Sequence, residues 1–147
     1  MTEPLSAATM ALVKATAPAL QEHGLEITRR MYERLFVDPQ IAALFDQAAQ
    51  SSGEQPKRLA GAILAFAQNV DKLAVLAPAI ARIADRHVAT GIRPEHYPAV
   101  ADALLPAIQD VLGDAVDAAT LAAWGEAYWF LADILIGEER TRYAKAA

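Results

Sequence analysis

Apolar residues recur along most of this chain at intervals of three and four, the spacing that places them on one face of an α-helix. Leu59, Ile63, Phe66 and Val70 form one such face, and Val100, Leu104, Ile108 and Val111 another. Leu121, Trp124, Tyr128, Leu131 and Leu135 form a third. No stretch shows the two-residue alternation of a half-buried strand, and there is no internal repeat. Helix breakers divide the pattern. Ser6 is expected to cap a helix running to about Glu22, bent or ended early by Pro18. Gly24 separates it from a second helix, about Leu25 to Phe36. Asp38-Pro39 is a turn signal, and Asp46 to Glu54, with Ser51-Ser52-Gly53, reads as a loop. Further helices are expected from Gln55-Pro56 onward, from Leu76 to Arg86 or His87, from Glu95 to Leu112 with a bend at Pro106, and from Ala118 to Tyr143. Thr90 to Pro94 and Gly113-Asp114 are the breaks between the last three. Six or seven helices with short connections define an all-α class.

Composition narrows the function classes. The 147 residues suit one domain that buries roughly 68–70% of its unfolded surface. The formal charge is −5, from 13 basic and 18 acidic residues, so the basic footprint of a nucleic-acid binder is missing. The absence of cysteine excludes disulfides, iron–sulfur clusters, thiolate zinc sites and thiolate-ligated haem. It also fits a reducing compartment, and a cytoplasmic location is expected. The start of the chain lacks the basic-then-apolar pattern of a signal peptide. The most apolar run, Leu73 to Ala81, stops at Arg82, and no membrane span is expected. Glycine-rich phosphate loops, serine nucleophile elbows and HExxH are missing. Asp46 and Glu54 lack the spacing of paired catalytic carboxylates. Arg29-Arg30 and Glu138-Glu139-Arg140 read as solvated charge runs.

A few polar residues sit where the pattern calls for apolar ones. His87 continues the face of Ile80, Ile83 and Ala84 at i+7. A buried imidazole needs a partner at each nitrogen: two hydrogen bonds, or one hydrogen bond and a metal. A lone histidine holds a bare ion poorly but suffices for a haem, whose porphyrin supplies four nitrogens. His23 and His96, beside turns, are expected to be solvated. Glu139 lies eleven residues after Tyr128, close to the same angular position on the last helix. Either the apolar stripe ends at Gly137 and Glu139 is solvated, or Glu139 is inward and accepts a proton from an imidazole or a tyrosine. Tyr32 shares a face with Leu25, Thr28 and Phe36, and Tyr97 begins the Val100–Val111 stripe. For each, packing plus one hydroxyl hydrogen bond accounts for the position.

The order of residues resembles the single-domain bacterial haemoglobins and the globin domain of flavohaemoglobins, from about Leu5 to Ala146. The segments that carry the resemblance are Val13-Lys14-Ala15-Thr16-Ala17-Pro18, Met31-Tyr32-Glu33-Arg34-Leu35-Phe36, Gln55-Pro56-Lys57-Arg58-Leu59, Ala67-Gln68-Asn69-Val70-Asp71-Lys72-Leu73, Ile83-Ala84-Asp85-Arg86-His87, His96-Tyr97-Pro98 and Ala123-Trp124-Gly125-Glu126-Ala127-Tyr128. Singly weak, in this order they are specific. The resemblance implies a globin fold of six to eight helices around a haem b (iron protoporphyrin IX) pocket. It implies His87 as the proximal iron ligand, with Tyr97 and Glu139 hydrogen-bonding around it. It also places Tyr32 and Gln55 as the distal polar pair, Leu59 over the iron, Phe45 as the aromatic wedge and Arg86 among the haem contacts. Three departures stand out: a segment from Phe36 to Phe45 one residue short, Trp129 where glycine is common, and Pro106 inside a helix that is usually continuous.

The function implied is reversible dioxygen binding by a carrier or store, with NO and CO as further ligands. Nitric oxide dioxygenation is the enzymatic alternative, and a haem-based gas sensor ranks below both. Residues 1–147 are expected to form one globin domain with no reductase domain, so turnover would draw electrons from a separate flavin reductase. The resemblance also admits a homodimer.

Overall fold

The computed structural model describes residues 5–44 and 54–146. Among these there are seven α-helices and no strand: α1 (Ala7–Ala15), α2 (Ala17–Leu35), α3 (Pro39–Ala42), α4 (Glu54–Gln68), α5 (Ala77–Thr90), α6 (Tyr97–Leu112) and α7 (Ala118–Ala146). Short 3-10 turns at Leu73–Leu76, Pro94–His96 and Gly113–Ala115 precede or follow the later helices. No described helix is long and apolar enough to cross a membrane.

Several starts follow the expected chemistry. Ser6 accepts from the Thr9 amide at the head of α1 (3.1 Å), and Asp38 accepts from the Gln40 amide at the head of α3 (2.9 Å). Other boundaries differ. The break falls at Thr16, and Pro18 opens α2 rather than bending α1, since a first-turn proline forfeits no helical hydrogen bond. Gly24 does not separate helices. It is buried inside α2, and a Cβ built there would lie 3.5 Å from the Ala60 Cβ of α4. His23 accordingly sits within α2 and is exposed. Pro106 stays inside α6 without ending it.

α2 packs on α4 and α6, while α7 runs across α1, α5 and α6. The main core gathers Val13, Leu20, Ile27, Met31, Phe66, Ile108 and Trp124, among others. Trp124 donates to Thr16 Oγ1 (3.0 Å) at the α1–α2 junction, so its buried N–H is satisfied. A second, smaller cluster of Ala84, Ile92, Tyr97, Ala132 and Leu135 lies where α5, α6 and α7 meet. Tyr128 and Leu131 touch both. Trp129 points its bulk outward, 39% exposed, which is how α7 accommodates it.

Candidate proximal histidine site

α5 and α7 together create the site. α5 ends in a Schellman motif: Gly91 takes the left-handed region (φ +85°), the Ile92 amide donates to the His87 carbonyl (2.8 Å) and the Gly91 amide to that of Val88 (3.2 Å). The Thr90 hydroxyl also donates to the His87 carbonyl (3.1 Å). His87 therefore lies in the last turn of α5 with its backbone fixed.

Its ring is fixed from the far side of the sequence. His87 Nδ1 lies 2.8 Å from Glu139 Oε2 and 3.1 Å from the Tyr97 hydroxyl. The Tyr97 hydroxyl donates to Glu139 at 2.8 and 2.9 Å. Glu139 is only 3% exposed, whereas Glu138 and Arg140 beside it are exposed. The solvated reading of Glu139 is thus corrected: the apolar stripe of α7 continues through it, and its charge is offset by two partners. A carboxylate only accepts, so the Nδ1–H of the ring donates to Glu139. Among the described residues none bonds Nε2. Burial and the adjacent Glu139 charge raise the Tyr97 hydroxyl well above the usual tyrosine value. Tyr128, raised by burial and by Asp102, donates to the Tyr97 carbonyl (2.7 Å).

Tyr32 is buried in α2, with its ring centroid 5.3 Å from that of Phe36. Gln55 lies in the first turn of α4, partly buried, and Leu59 follows one turn later. Thr28 ties the two helices together. Its hydroxyl, fully buried, lies 2.9 Å from the Leu25 carbonyl and 3.0 Å from that of Pro56. Gly24 faces Ala60 and Thr28 faces Pro56, so α2 and α4 run antiparallel here. Tyr32, one turn beyond Thr28, falls at the Gln55 end of α4. Arg86 is exposed on α5. Phe45, the expected aromatic wedge, lies outside the described residues, as does most of the Asp46–Glu54 loop.

Apolar faces of α4 and α5 are unfinished. Leu59 and Ile63 on α4, and Ile80 and Ile83 on α5, are only partly buried, and the His87 side chain is 31% exposed. α4 and α5 connect through the turn at Leu73–Leu76 and do not pack along their lengths. A flat apolar group that carries a metal would fit that arrangement: the partly buried residues of α4 and α5 would cover its faces and His87 would hold it through Nε2. No group of three or more metal-ligating side chains occurs among the described residues. Sequence reasoning missed the buried Thr28 bridge and Tyr143, whose hydroxyl donates to the Ile92 carbonyl (2.6 Å). Neither breaks the amphipathic pattern, so neither announces itself.

Comparison with known proteins agrees on one family. The model of the Globin family matches residues 29–135. A flavohemoprotein of Xylella fastidiosa is 56% identical over 139 residues, which cover 95% of this chain and 35% of that protein. The chain thus spans about a third of the length of the curated relatives it matches. An engineered carbene transferase from Rhodothermus marinus, its parent provisionally named a nitric oxide dioxygenase, has TM-score 0.90 and 38% identity, with 97% of this chain and 98% of that one covered. A flavohemoglobin from Malassezia yamatoensis, solved with bound FAD and heme, has TM-score 0.87 and 34% identity, with 97% of this chain and 38% of that one covered.

Proposed function

Because this chain belongs to the globin family and has its fold, we propose that it binds haem b through His87 and reversibly binds dioxygen. The observation that carries this reading is the His87 ring, with Nδ1 bonded to Glu139 and Nε2 without a partner among the described residues, beside partly buried apolar faces. When bound, the haem supplies an iron that takes a small gas ligand. The chain's residues set the conditions. Glu139 holds the Nδ1 proton and gives the imidazole imidazolate character, which makes Nε2 a stronger donor. The Tyr97 hydroxyl keeps the Glu139 carboxylate in place. Leu59 and Ile63 exclude water from the distal side, and Tyr32 and Gln55 supply hydrogen-bonding groups there.

The strongly donating Glu139–His87 pair also supports a second reading, nitric oxide dioxygenation. In that reaction dioxygen and nitric oxide combine to nitrate with uptake of one electron. The name borne by the Rhodothermus marinus parent points the same way, and the electron would come from a flavin reductase.

The test begins with the visible spectrum of the purified protein. A Soret band that shifts with dithionite, CO and O2 is expected, and a protein that takes up no haem would overturn the reading. NO consumption is then followed with and without added NADH and a flavin reductase. Catalytic consumption only with the reductase would establish the dioxygenase; stoichiometric consumption alone would leave a carrier.

A further inference from the structure

The end of α7 grips the segment around His87 at three points. Glu139 holds the ring. Arg142 Nε, three residues on, donates to Asp85 Oδ1 (2.6 Å), two residues before His87. Arg142 is itself oriented by Glu138, whose carboxylate (2.9 Å) and carbonyl (3.0 Å) accept from its Nη1. Tyr143, one turn after Glu139 and on the same face of α7, donates to the Ile92 carbonyl (2.6 Å). The Arg93 guanidinium lies 5.6 Å from the Tyr143 ring centroid. Ile92 is the residue whose amide donates to the His87 carbonyl. Ile92 is thus held at both ends: its carbonyl accepts from the Tyr143 hydroxyl and its amide donates to the His87 carbonyl.

The two grips have different worth. Asp85 is exposed, and an exposed ion pair contributes little on its own. Tyr143 is partly buried, and Ile92 is buried within the second apolar cluster. Loss of the Tyr143 hydroxyl leaves the Ile92 carbonyl without its donor at the point where α5 has just ended. The His87 ring, held by Glu139, and the His87 backbone, held through Ile92, are then no longer fixed to the same helix.

We propose that Tyr143, supported by Arg142, is a positioning residue that sets the tilt of the His87 ring against Glu139. The inference rests on His87 being the residue that faces the iron, but its first readouts need no iron. In the haem-free protein, Tyr143→Phe is compared with wild type by amide hydrogen exchange and by the NMR signal of the His87 Nδ1 proton. Exchange at Gly91 and Ile92 is expected to rise about fivefold, the worth of one ordinary hydrogen bond, and the His87 signal to shift or broaden. Arg142→Gln is expected to act in the same direction more weakly. Thr141→Ala, which removes only a bond to the Gly137 carbonyl within α7, is expected to change neither. In the haem-loaded ferrous protein, Tyr143→Phe is expected to broaden the iron–histidine stretching band. Wild-type exchange at 91–92 and an unmoved His87 signal in Tyr143→Phe would overturn the proposal. So would an equal change in Thr141→Ala, which would mark a general loosening of α7. Failure of His87 to hold haem would instead appear as a missing Soret band, with the haem-free readouts unaffected.

Discussion

Glu139 is the residue on which the site turns. A carboxylate that is 3% exposed is costly unless its charge is met by donors. Glu139→Gln keeps the shape and removes the charge, so the His87 ring is expected to have less imidazolate character. The iron–histidine stretching frequency of the ferrous haem form is expected to fall, and an unchanged frequency would mean that the ring does not feel the carboxylate. Tyr97 makes a pH prediction. Its folded-state value lies above the ordinary 10.0 because of burial first and the Glu139 charge second. The stability contributed by the protonated hydroxyl is therefore full below pH 10 and is lost as pH rises above it, where the unfolded chain ionises and the folded one does not. Denaturant unfolding between pH 8 and 11 should show a shallower alkaline loss in Tyr97→Phe, with Tyr128 supplying part of what remains. At pH 7 the same variant should be less stable by about 1–3 kcal/mol, because Glu139 loses a donor. Tyr32→Phe is expected to raise the O2 dissociation rate about tenfold, the worth of a hydrogen bond of about 1.5 kcal/mol. An unchanged rate by stopped flow would remove Tyr32 from the distal pocket. Of these residues, His87 was legible in the sequence as a polar interruption of an apolar face. Glu139 was legible only as a choice, because the partners that decide it lie 42 and 52 residues away. The resemblance named the trio; spacing alone did not bring its members together.

At the level of the helices, the errors of sequence reasoning have a common cause. Glycine and proline act as punctuation only where no tertiary contact asks for them. Gly91 does end α5, in the left-handed conformation that favours glycine. Gly24 instead lies mid-helix, where α2 and α4 approach closely. Its predicted behaviour separates the two uses. Gly24→Ala is expected to be neutral or stabilising by up to about 1 kcal/mol, since the new Cβ would meet Ala60 at an ordinary 3.5 Å and helix propensity improves. Gly24→Leu is expected to cost about 1–3 kcal/mol by forcing the helices apart. Chemical denaturation of both variants checks this, and equal stability of the two would show that the crossing is not tight. Pro106 makes the same point: α6 runs through it without ending while packing against both α2 and α7.

For the molecule as a whole, the all-α class followed directly from the three-and-four periodicity. The unfinished faces of α4 and α5 did not, because periodicity marks a face as apolar without saying what covers it. If haem is the covering group, its binding must appear as stability. At a hundredfold excess over Kd it adds about 2.7 kcal/mol, or about 5–11 °C in Tm for a chain of this size. His87→Ala is expected to remove most of that increment and to lose stable haem incorporation. An increment that survives intact in scanning calorimetry would move the ligand away from His87. His87 receives its orientation from a residue 52 positions later, and at 5–20 residues per second a ribosome takes about 3–10 s to reach it. Throughout that interval a nascent chain carries the histidine without the carboxylate that selects its tautomer. The imidazole therefore gains its fixed orientation only once α7 has been made and has come to rest on α5 and α6.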